Sequence, residues 1–127
     1  MSKKKGTRVE RELFHMLWEN GWQPLRAAGS GSTTIPSPDI LVGNKGKIFA
    51  IECKSIKKNA KYFDNEEIEQ LKLFSLKFGA TPIIGIKFDR IGWYFLPINE
   101  LKKTKSGFSL SLKLAQEKGL SFNQLIK

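Results

Sequence analysis

Two carboxylates and a lysine lie in a segment whose apolar pattern is that of a β-hairpin in a protein core. Asp39 precedes the apolar residues 40–42, and Glu52 and Lys54 follow the apolar run of residues 48–51. Acids and lysines are rarely fully buried unless they are paired or bind a metal. The hairpin therefore belongs to a fold that either pairs these charges or uses them in a polar site.

The register of this hairpin decides whether the charges meet. Residues 44–47 include Gly46 and predict a turn. If residues 44 and 47 pair across a two-residue turn, Asp39 lies opposite Glu52. Lys54 then shares the face of Glu52, because side chains alternate along a strand. Directly opposed like charges destabilise a sheet unless something neutralises them, and a divalent cation with oxygen ligands would do so.

A simpler interpretation of the same residues is a salt-bridged surface strand. Lys54 then offsets Glu52, and Asp39 is a turn residue after Pro38. A three-residue turn would also shift the register and separate the two acids. The hairpin alone leaves both interpretations open.

The charge of the chain narrows the classes of partner. The 127 residues include 22 Lys and Arg against 12 Asp and Glu, a formal net charge of +10. This charge predicts a polyanionic partner, most often nucleic acid. The single cysteine excludes an internal disulfide framework and a cysteine-based zinc site, and it fits a reducing compartment, so we expect a cytoplasmic protein. No apolar run approaches the ~20 residues that span a bilayer, and we expect no membrane partner.

The order of predicted helices and strands indicates a single α/β domain over residues 1–127, led by a flexible basic arm of residues 1–5. The order is α-β-β-β-α-β-β, an α+β arrangement with a five-stranded mixed sheet flanked by helices. We predict helices at residues 7–20 and 64–79, and strands at residues 22–28, 39–42, 48–55, 81–88 and 92–96. The remainder predicts a short helix at residues 99–102, a strand at residues 108–112 and a helix from Ser121.

The second predicted helix has clear ends and a clear buried face. Asp64 is the predicted N-cap, with Glu67 three residues later, and Gly79 ends the helix. The spacing of apolar residues predicts a buried stripe made of Ile68, Leu71, Phe74 and Phe78.

The first predicted helix carries another acid. Thr7 and Glu10 fit a capping box, which would give Glu10 a purely structural role. At ~100° per residue, however, Glu10 falls inside the apolar arc that includes Val9, Leu13 and Leu17. A capping glutamate more often lies at the margin of such an arc, so a role as cap and a role as site residue both stay open.

If Glu10 converges on Asp39 and Glu52, the three acids form an oxygen-rich site of the kind that Mg²⁺ prefers. A metal-bound water can attack a phosphorus atom while the cation neutralises charge on the phosphate. Lys54 could orient that water or stabilise the developing charge. The backbone carbonyl of Cys53 could supply a further metal ligand, and we expect its thiol to pack in the core.

The order and spacing of these residues resemble those of a known group of nucleases. Glu10, Pro38-Asp39 and Glu52-Cys53-Lys54 match the Glu…PD…ExK signature of the restriction-endonuclease-like superfamily. Within it, the chain resembles the archaeal Holliday junction resolvases. The resemblance covers residues 5 to about 100 and is carried by residues 5–7, 9–11, 26–32, 35–40, 51–54 and 74–79. An apolar or small residue is common where this chain has Cys53.

The resemblance implies a homodimeric, Mg²⁺-dependent endonuclease, for which Mn²⁺ would substitute, that cuts four-way DNA junctions by paired nicks. It implies no small-molecule substrate. Carried over to this chain, the resemblance implies that Glu10, Asp39 and Glu52 are the acidic metal-site residues. It implies that Lys54 is the catalytic lysine. Ser30 matches a loop serine implicated in catalysis in some members, and Gln70 resembles a helix glutamine of related nucleases.

We expect two surfaces in addition to the catalytic site. The proposed phosphate contacts are basic residues near the N-terminus and after the hairpin, namely Lys3, Lys4, Lys5, Arg8, Lys57, Lys58 and Lys61. The expected dimer interface lies in the second half of the chain, where Ile91, Trp93, Phe95 and Leu96 are concentrated. Trp93 is the expected anchor, because aromatic residues dominate interface cores.

Two other functions fit parts of the sequence. A non-catalytic basic module could bind nucleic acid by charge and shape alone, but it has no need of Glu10, Asp39 and Glu52. Another nuclease of the same superfamily, of restriction or repair type, would use the same acids on a different DNA structure. Only the resemblance separates that nuclease from a junction resolvase.

Overall fold

The computed structural model describes residues 2–27 and 35–127 of the chain, with side chains from residue 8 onward. The elements, in chain order, are α1 (Ser2–Glu19), β1 (Gln23–Arg26), β2 (Ile40–Asn44), β3 (Lys47–Ile56), β4 (Ala60–Asp64), α2 (Asn65–Phe78), β5 (Thr81–Phe88), β6 (Gly92–Pro97), a short 3-10 helix (Ile98–Glu100), β7 (Lys102–Lys103), β8 (Gly107–Ser111), α3 (Leu112–Lys118) and α4 (Phe122–Leu125). Among the helices of these residues, none combines the length and the apolar character needed to span a membrane.

The main sheet has five strands in the order β1-β2-β3-β5-β6. Strands β3 and β5 pair in parallel, and the other neighbours are antiparallel. The parallel pair needs a crossover, which α2 provides. The predicted fold class, a five-stranded mixed sheet flanked by helices, is therefore confirmed.

The hairpin of β2 and β3 has the register that brings the acids together. Asn44 pairs with Lys47, and Ile40 pairs with Ile51, so Asp39 comes next to Glu52. The two turn residues Lys45 and Gly46 both have positive φ, 48° and 90°, which is the requirement of a two-residue turn of type I′. The sequence predicted a turn at residues 44–47 and left its length open; the structure has the two-residue turn and excludes the three-residue alternative.

The main sheet is covered on both faces, and successive residues of β3 contribute to different faces. Ile51 and Cys53 pack with Leu13 and Leu17 of α1. Ala50 belongs to the second cluster, with α2 and the smaller sheet. Since side chains alternate, Glu52 and Lys54 lie on the face of Ala50, toward α2.

The start of α1 differs from the prediction. The helix begins at Ser2 rather than at Thr7, so Thr7 lies inside it and is not an N-cap. Residues 2–5, predicted as a flexible arm, have helical backbone. The predicted end is confirmed, since Gly21 follows the helix with a φ of 87°.

The structure has a second, three-stranded sheet in the order β4-β8-β7 and the helix α3, neither of which was predicted from the sequence. Of this sheet, only the strand β8 was predicted, at nearly the correct place. In this sheet β8 approaches β4 so closely that a Cβ on Gly107 would overlap the backbone oxygen of Phe63. The second sheet and α3 pack on the α2 side of the main sheet and enclose that side of the hairpin.

The C-terminal segment covers the outer edge of β6. Phe95 and Leu120 exchange two backbone hydrogen bonds, of 2.8 and 2.7 Å. The ring of Phe95 crosses the sheet below Gly85, where a Cβ would lie 3.1 Å from its Cε1. Phe95 is thus fixed in the interior of the chain by both its backbone and its side chain.

Candidate active site

Asp39 and Glu52 form a pair of neighbouring carboxylates at the end of the hairpin. The Cys53 amide donates a hydrogen bond of 2.8 Å to Oδ2 of Asp39, and the Asp39 backbone is close enough to the Glu52 carboxylate to lower its pKa. The backbone of β3 thereby holds the acid that precedes β2. Both side chains are partly buried, so the arrangement is a preformed acidic site.

The two carboxylates do not ionise as ordinary surface acids do. Burial raises the pKa of Asp39 to about 6, against the hydrogen bond from the Cys53 amide, which lowers it. Burial, followed by the charge of Asp39, raises the pKa of Glu52 to about 8. Such shifts show that burial disfavours the charged form of both acids and that each also faces other carboxylates, and they are typical of functional sites.

Lys54 lies on the same face of β3 as Glu52 and is held by an acid from α2. Its Nζ lies 2.7 Å from Oε2 of Glu67 and 5.9 Å from the centre of the Phe63 ring. The pKa of Lys54 is raised although burial lowers it, because Glu67 and then Glu52 and Asp39 favour its charged form. The ammonium group is therefore charged, and Glu52 and Asp39 are close enough to favour that charge.

Glu67 lies at the site through its contact with Lys54, and the sequence did not predict it there. It was taken only as the partner of the N-cap Asp64, and the cap is confirmed, because Asp64 accepts a hydrogen bond of 2.9 Å from the Glu67 amide. Gln70, which resembles a helix glutamine of related nucleases, donates to Glu66 on the exposed side of α2. The available signal was an acid at the third position of the helix that follows the ExK motif. Glu67 occupies this position, about one turn before Gln70.

Glu10 does not complete a three-acid cluster with Asp39 and Glu52. Its Oε1 lies 3.4 Å from Nη2 of Arg26, on the α1 side of the sheet. Its charge still contributes to the raised pKa of Asp39, so it lies near the site. Within residues 8–27 and 35–127, no three Asp, Glu, His or Cys side chains converge as a ready metal site. Ser30 lies outside the described residues.

The cysteine between the two site residues faces away from them. Cys53 is 8% exposed and packs with the core under α1. Burial raises the pKa of its thiol well above its ordinary value. The prediction that this thiol packs in the core is confirmed.

The predicted phosphate contacts that the structure describes lie close to the catalytic strand. Lys57 and Lys58 are exposed and Lys61 is partly exposed; with Tyr62, whose side chain is 71% exposed, they line a groove of about 460 Å³ at the end of β3. Arg8 is exposed on α1. For Lys3, Lys4 and Lys5 the structure describes the backbone but not the side chains.

The predicted dimer interface on β6 is wrong for two of its four residues. Phe95 and Leu96 are 0% exposed and belong to the two core clusters. Trp93 is only partly exposed and donates from Nε1 to Oε1 of Glu12 at 3.2 Å. Ile91 is exposed but isolated at the turn. Phe95 faces inward, and α4 and Leu120 cover this part of the sheet.

A family model of archaeal Holliday junction resolvases matches residues 1–127. The chain belongs to the archaeal Holliday junction resolvase family. The resolvase-like fold and the PD…ExK residues described above thus agree with the family to which the whole sequence is assigned.

Two relatives and one solved structure of this family align with this chain over most of their length. The chain is 38% identical to the crossover junction endodeoxyribonuclease Hjc of Archaeoglobus fulgidus, covering 96% of this chain and 95% of that protein. It is 32% identical to Hjc of Sulfolobus acidocaldarius, covering 99% of this chain and 89% of that protein. The structure of the A. fulgidus Hjc, a Holliday junction resolvase, superposes with a TM-score of 0.90 at 35% identity, covering 96% of this chain and 100% of the other.

Proposed function

We propose that this member of the family resolves four-way DNA junctions by hydrolysing one phosphodiester bond in each of two strands. The observation that carries the proposal is the buried pair Asp39 and Glu52 with the charged Lys54 on the same face. A protein with a net charge of +10 has no electrostatic reason to bury two adjacent acids unless the acids perform chemistry. A non-catalytic DNA-binding module does not explain them.

We propose that the acidic pair binds Mg²⁺, or Mn²⁺ in its place. The donors fit such an ion, because both are hard carboxylate oxygens that lie side by side in a partly buried site. Two carboxylates suffice, since Mg²⁺ usually takes one or two and completes its shell with water and phosphate oxygens. Glu10 and the carbonyl of Cys53 remain candidates for further ligands. When bound, the ion supplies an activated water and neutralises charge on the phosphate.

Lys54 supplies positive charge where the reaction builds up negative charge. Its Nζ lies beside Glu67 and has further N–H groups that are free to donate to a phosphate oxygen. Because the site is partly buried, such a donor stabilises the transition state more than it would in bulk water. Asp39 meanwhile keeps its hydrogen bond from the Cys53 amide, which fixes the position of its carboxylate.

DNA reaches this site along the basic groove. Lys57, Lys58 and Lys61 follow Lys54 on the same chain segment, so a phosphate backbone bound there leads directly to the acidic pair. The exposed Tyr62 lies among them and offers a stacking surface to an unpaired base at the crossover. With DNA as substrate, the single unpaired cysteine supports a cytoplasmic protein.

We propose that the active species is a homodimer that associates through α2 rather than β6. A four-way junction has approximate two-fold symmetry, and a C2 dimer with one site per subunit matches it. On α2, Leu73, Leu76 and Phe78 are 52%, 79% and 50% exposed, and the Phe78 ring stacks on Phe74 at 5.4 Å. Contiguous exposed apolar side chains of this kind mark interaction sites, and a second copy brings its own complementary α2.

A direct test uses a synthetic four-way junction, labelled on each strand in turn, and a linear duplex of matched sequence. With Mg²⁺, the protein should cut two strands of the junction at symmetric positions and leave the duplex intact. Chelation should stop cleavage but not binding. Equal cutting of the duplex would replace junction resolution with a less selective nuclease activity, and binding without cutting would leave only a DNA-binding module.

A further inference from the structure

Glu67 is an acid at the catalytic face for which the proposed chemistry has no role. Its Oε2 lies 2.7 Å from Nζ of Lys54, and the two side chains are 29% and 24% exposed. It comes from α2, whereas the acidic pair and Lys54 come from the hairpin. Its charge also raises the pKa values of both Asp39 and Glu52, so its carboxylate lies near theirs.

The local structure holds Glu67 firmly in this position. Asp64 caps α2 by accepting from the Glu67 amide at 2.9 Å, and the next residue, Ile68, is buried in the core. In a capping box, the glutamate at this position turns back to the amide of the cap residue. Here the Glu67 carboxylate reaches across to β3 instead, and the cap uses only the side chain of Asp64.

Lys54 gains a defined position from this contact. A lysine side chain has four rotatable carbons and a compact ammonium group with three N–H donors. Glu67 takes one of these donors, and the centre of the Phe63 ring lies 5.9 Å from Nζ. With Nζ held at α2, the remaining donors lie on the α2 side of β3, the side from which Glu52 also projects.

We propose that Glu67 is a positioning residue for Lys54, which it holds on the face of the acidic pair so that the free N–H groups of the ammonium meet the scissile phosphate. The inference rests on the proposed function. Glu67 acts through Lys54 and touches neither the DNA nor the reacting atoms. An ordinary ion pair of this exposure would contribute little to stability. A positioning role for Glu67 therefore shows in the cleavage rate, whereas a structural role shows in the free energy of unfolding.

The test compares Glu67→Ala and Glu67→Gln with the matched control Glu66→Gln. Glu66 is the neighbouring first-turn acid, exposed, with Gln70 as its partner, and its substitution removes one negative charge without touching Lys54. Single-turnover cleavage of a four-way junction in Mg²⁺ gives the rate, and a binding titration in chelator gives the junction Kd. Thermal unfolding of each variant checks the fold.

For Glu67→Ala we expect a rate about 10 to 100-fold below the wild type, the usual effect of removing a group that orients a catalytic residue, with Kd within about twofold. Glu67→Gln should recover most of the rate, because its Oε1 accepts the same hydrogen bond from Lys54. Glu66→Gln should match the wild type. A Glu67→Gln rate as low as that of Glu67→Ala would overturn positioning and indicate that the negative charge itself is required.

A double-mutant cycle with Lys54→Ala separates indirect from direct action. If Glu67 works through Lys54, adding Glu67→Ala to Lys54→Ala should cause no further loss of rate. An additional loss of the same size, a wild-type rate in Glu67→Ala, or a change in Kd alone would each reject the proposal. If the wild type cuts no junction, the proposed function itself fails, whereas normal wild-type cutting with an unaffected Glu67→Ala rejects only the role of Glu67.

Discussion

Replacing Asp39 by asparagine should stop cleavage and, in the absence of divalent ions, make the protein more stable. The pKa of Asp39 is raised from 3.8 to about 6 in the folded chain, so the folded state binds a proton more tightly than the unfolded state. The stability of the wild type therefore falls as pH rises through this interval, and the ionised Glu52, with its pKa raised to about 8, extends the decline toward pH 8.

The size of the effect follows from the pKa of Asp39. At about 1.4 kcal/mol per pKa unit, ionised Asp39 costs the fold at most about 3 kcal/mol above pH 6. The asparagine side chain of the variant has no charge, yet its amide oxygen can still accept the 2.8 Å hydrogen bond from the Cys53 amide. We expect Asp39→Asn to gain about 1–3 kcal/mol at pH 8 in EDTA and almost nothing at pH 4. Asp39→Ala should gain less, because an unpartnered amide costs about 1–3 kcal/mol.

Urea unfolding of the wild type and the variants at pH 4 and pH 8 in EDTA measures these differences, and junction binding and cleavage are followed in parallel. Asp89→Asn, at an exposed turn, is the control and should change stability by less than about 0.5 kcal/mol at either pH. Equal stability of Asp39→Asn and wild type at pH 8 would refute the idea of a strained acidic pair, and full Mg²⁺-dependent cutting by this variant would remove the metal site.

Three further predictions address the other parts of the site. Glu10→Gln should slow single-turnover cleavage at least about 10-fold with unchanged unfolding, if Glu10 helps to hold the ion; an unchanged rate would limit it to its ion pair with Arg26. Alanine at Lys57 and Lys58 should lower the salt slope of log affinity by roughly 0.9 for each lost contact, as titrations at several salt concentrations will show, and an unaltered slope would place the DNA elsewhere. Leu76→Glu should shift sedimentation at micromolar protein from dimer to monomer, with loss of paired cutting, whereas a variant that stays dimeric would exclude α2 as the interface.

The main sheet could be predicted from the sequence because local rules fix most of it, whereas the choice of an acidic site over a salt-bridged strand came from the resemblance to the nuclease superfamily. The turn at residues 44–47 sets the register of the hairpin, and the alternation of side chains then puts Asp39, Glu52 and Lys54 on one face. The ends of α2 follow in the same way from Asp64 and Gly79. Each of these predictions depends on residues that are neighbours in the chain or across one turn.

The errors come from contacts between distant segments or from weak local signals. β4 pairs with β8, more than 40 residues later, and nothing local to residues 60–64 requires a strand. The contact of Glu67 with Lys54 depends on how α2 crosses β3, which spacing does not give. The helix α1 begins at Ser2 despite three N-terminal lysines, which oppose the helix dipole, and despite Gly6. Phe95 and Leu96 satisfied the aromatic and apolar pattern of an interface, but the C-terminal segment encloses them.

We propose that two coupled active sites cut one junction within a single encounter. A supercoiled plasmid that extrudes a cruciform is the most direct test of this proposal. The first nick releases the supercoiling and lets the cruciform be reabsorbed, so only a second cut within the same encounter can give a linear product. We predict that the wild type with Mg²⁺ gives mainly linear DNA and that Asp39→Asn gives none while still binding. Nicked circles as the main product of the wild type would contradict paired cutting by a dimer.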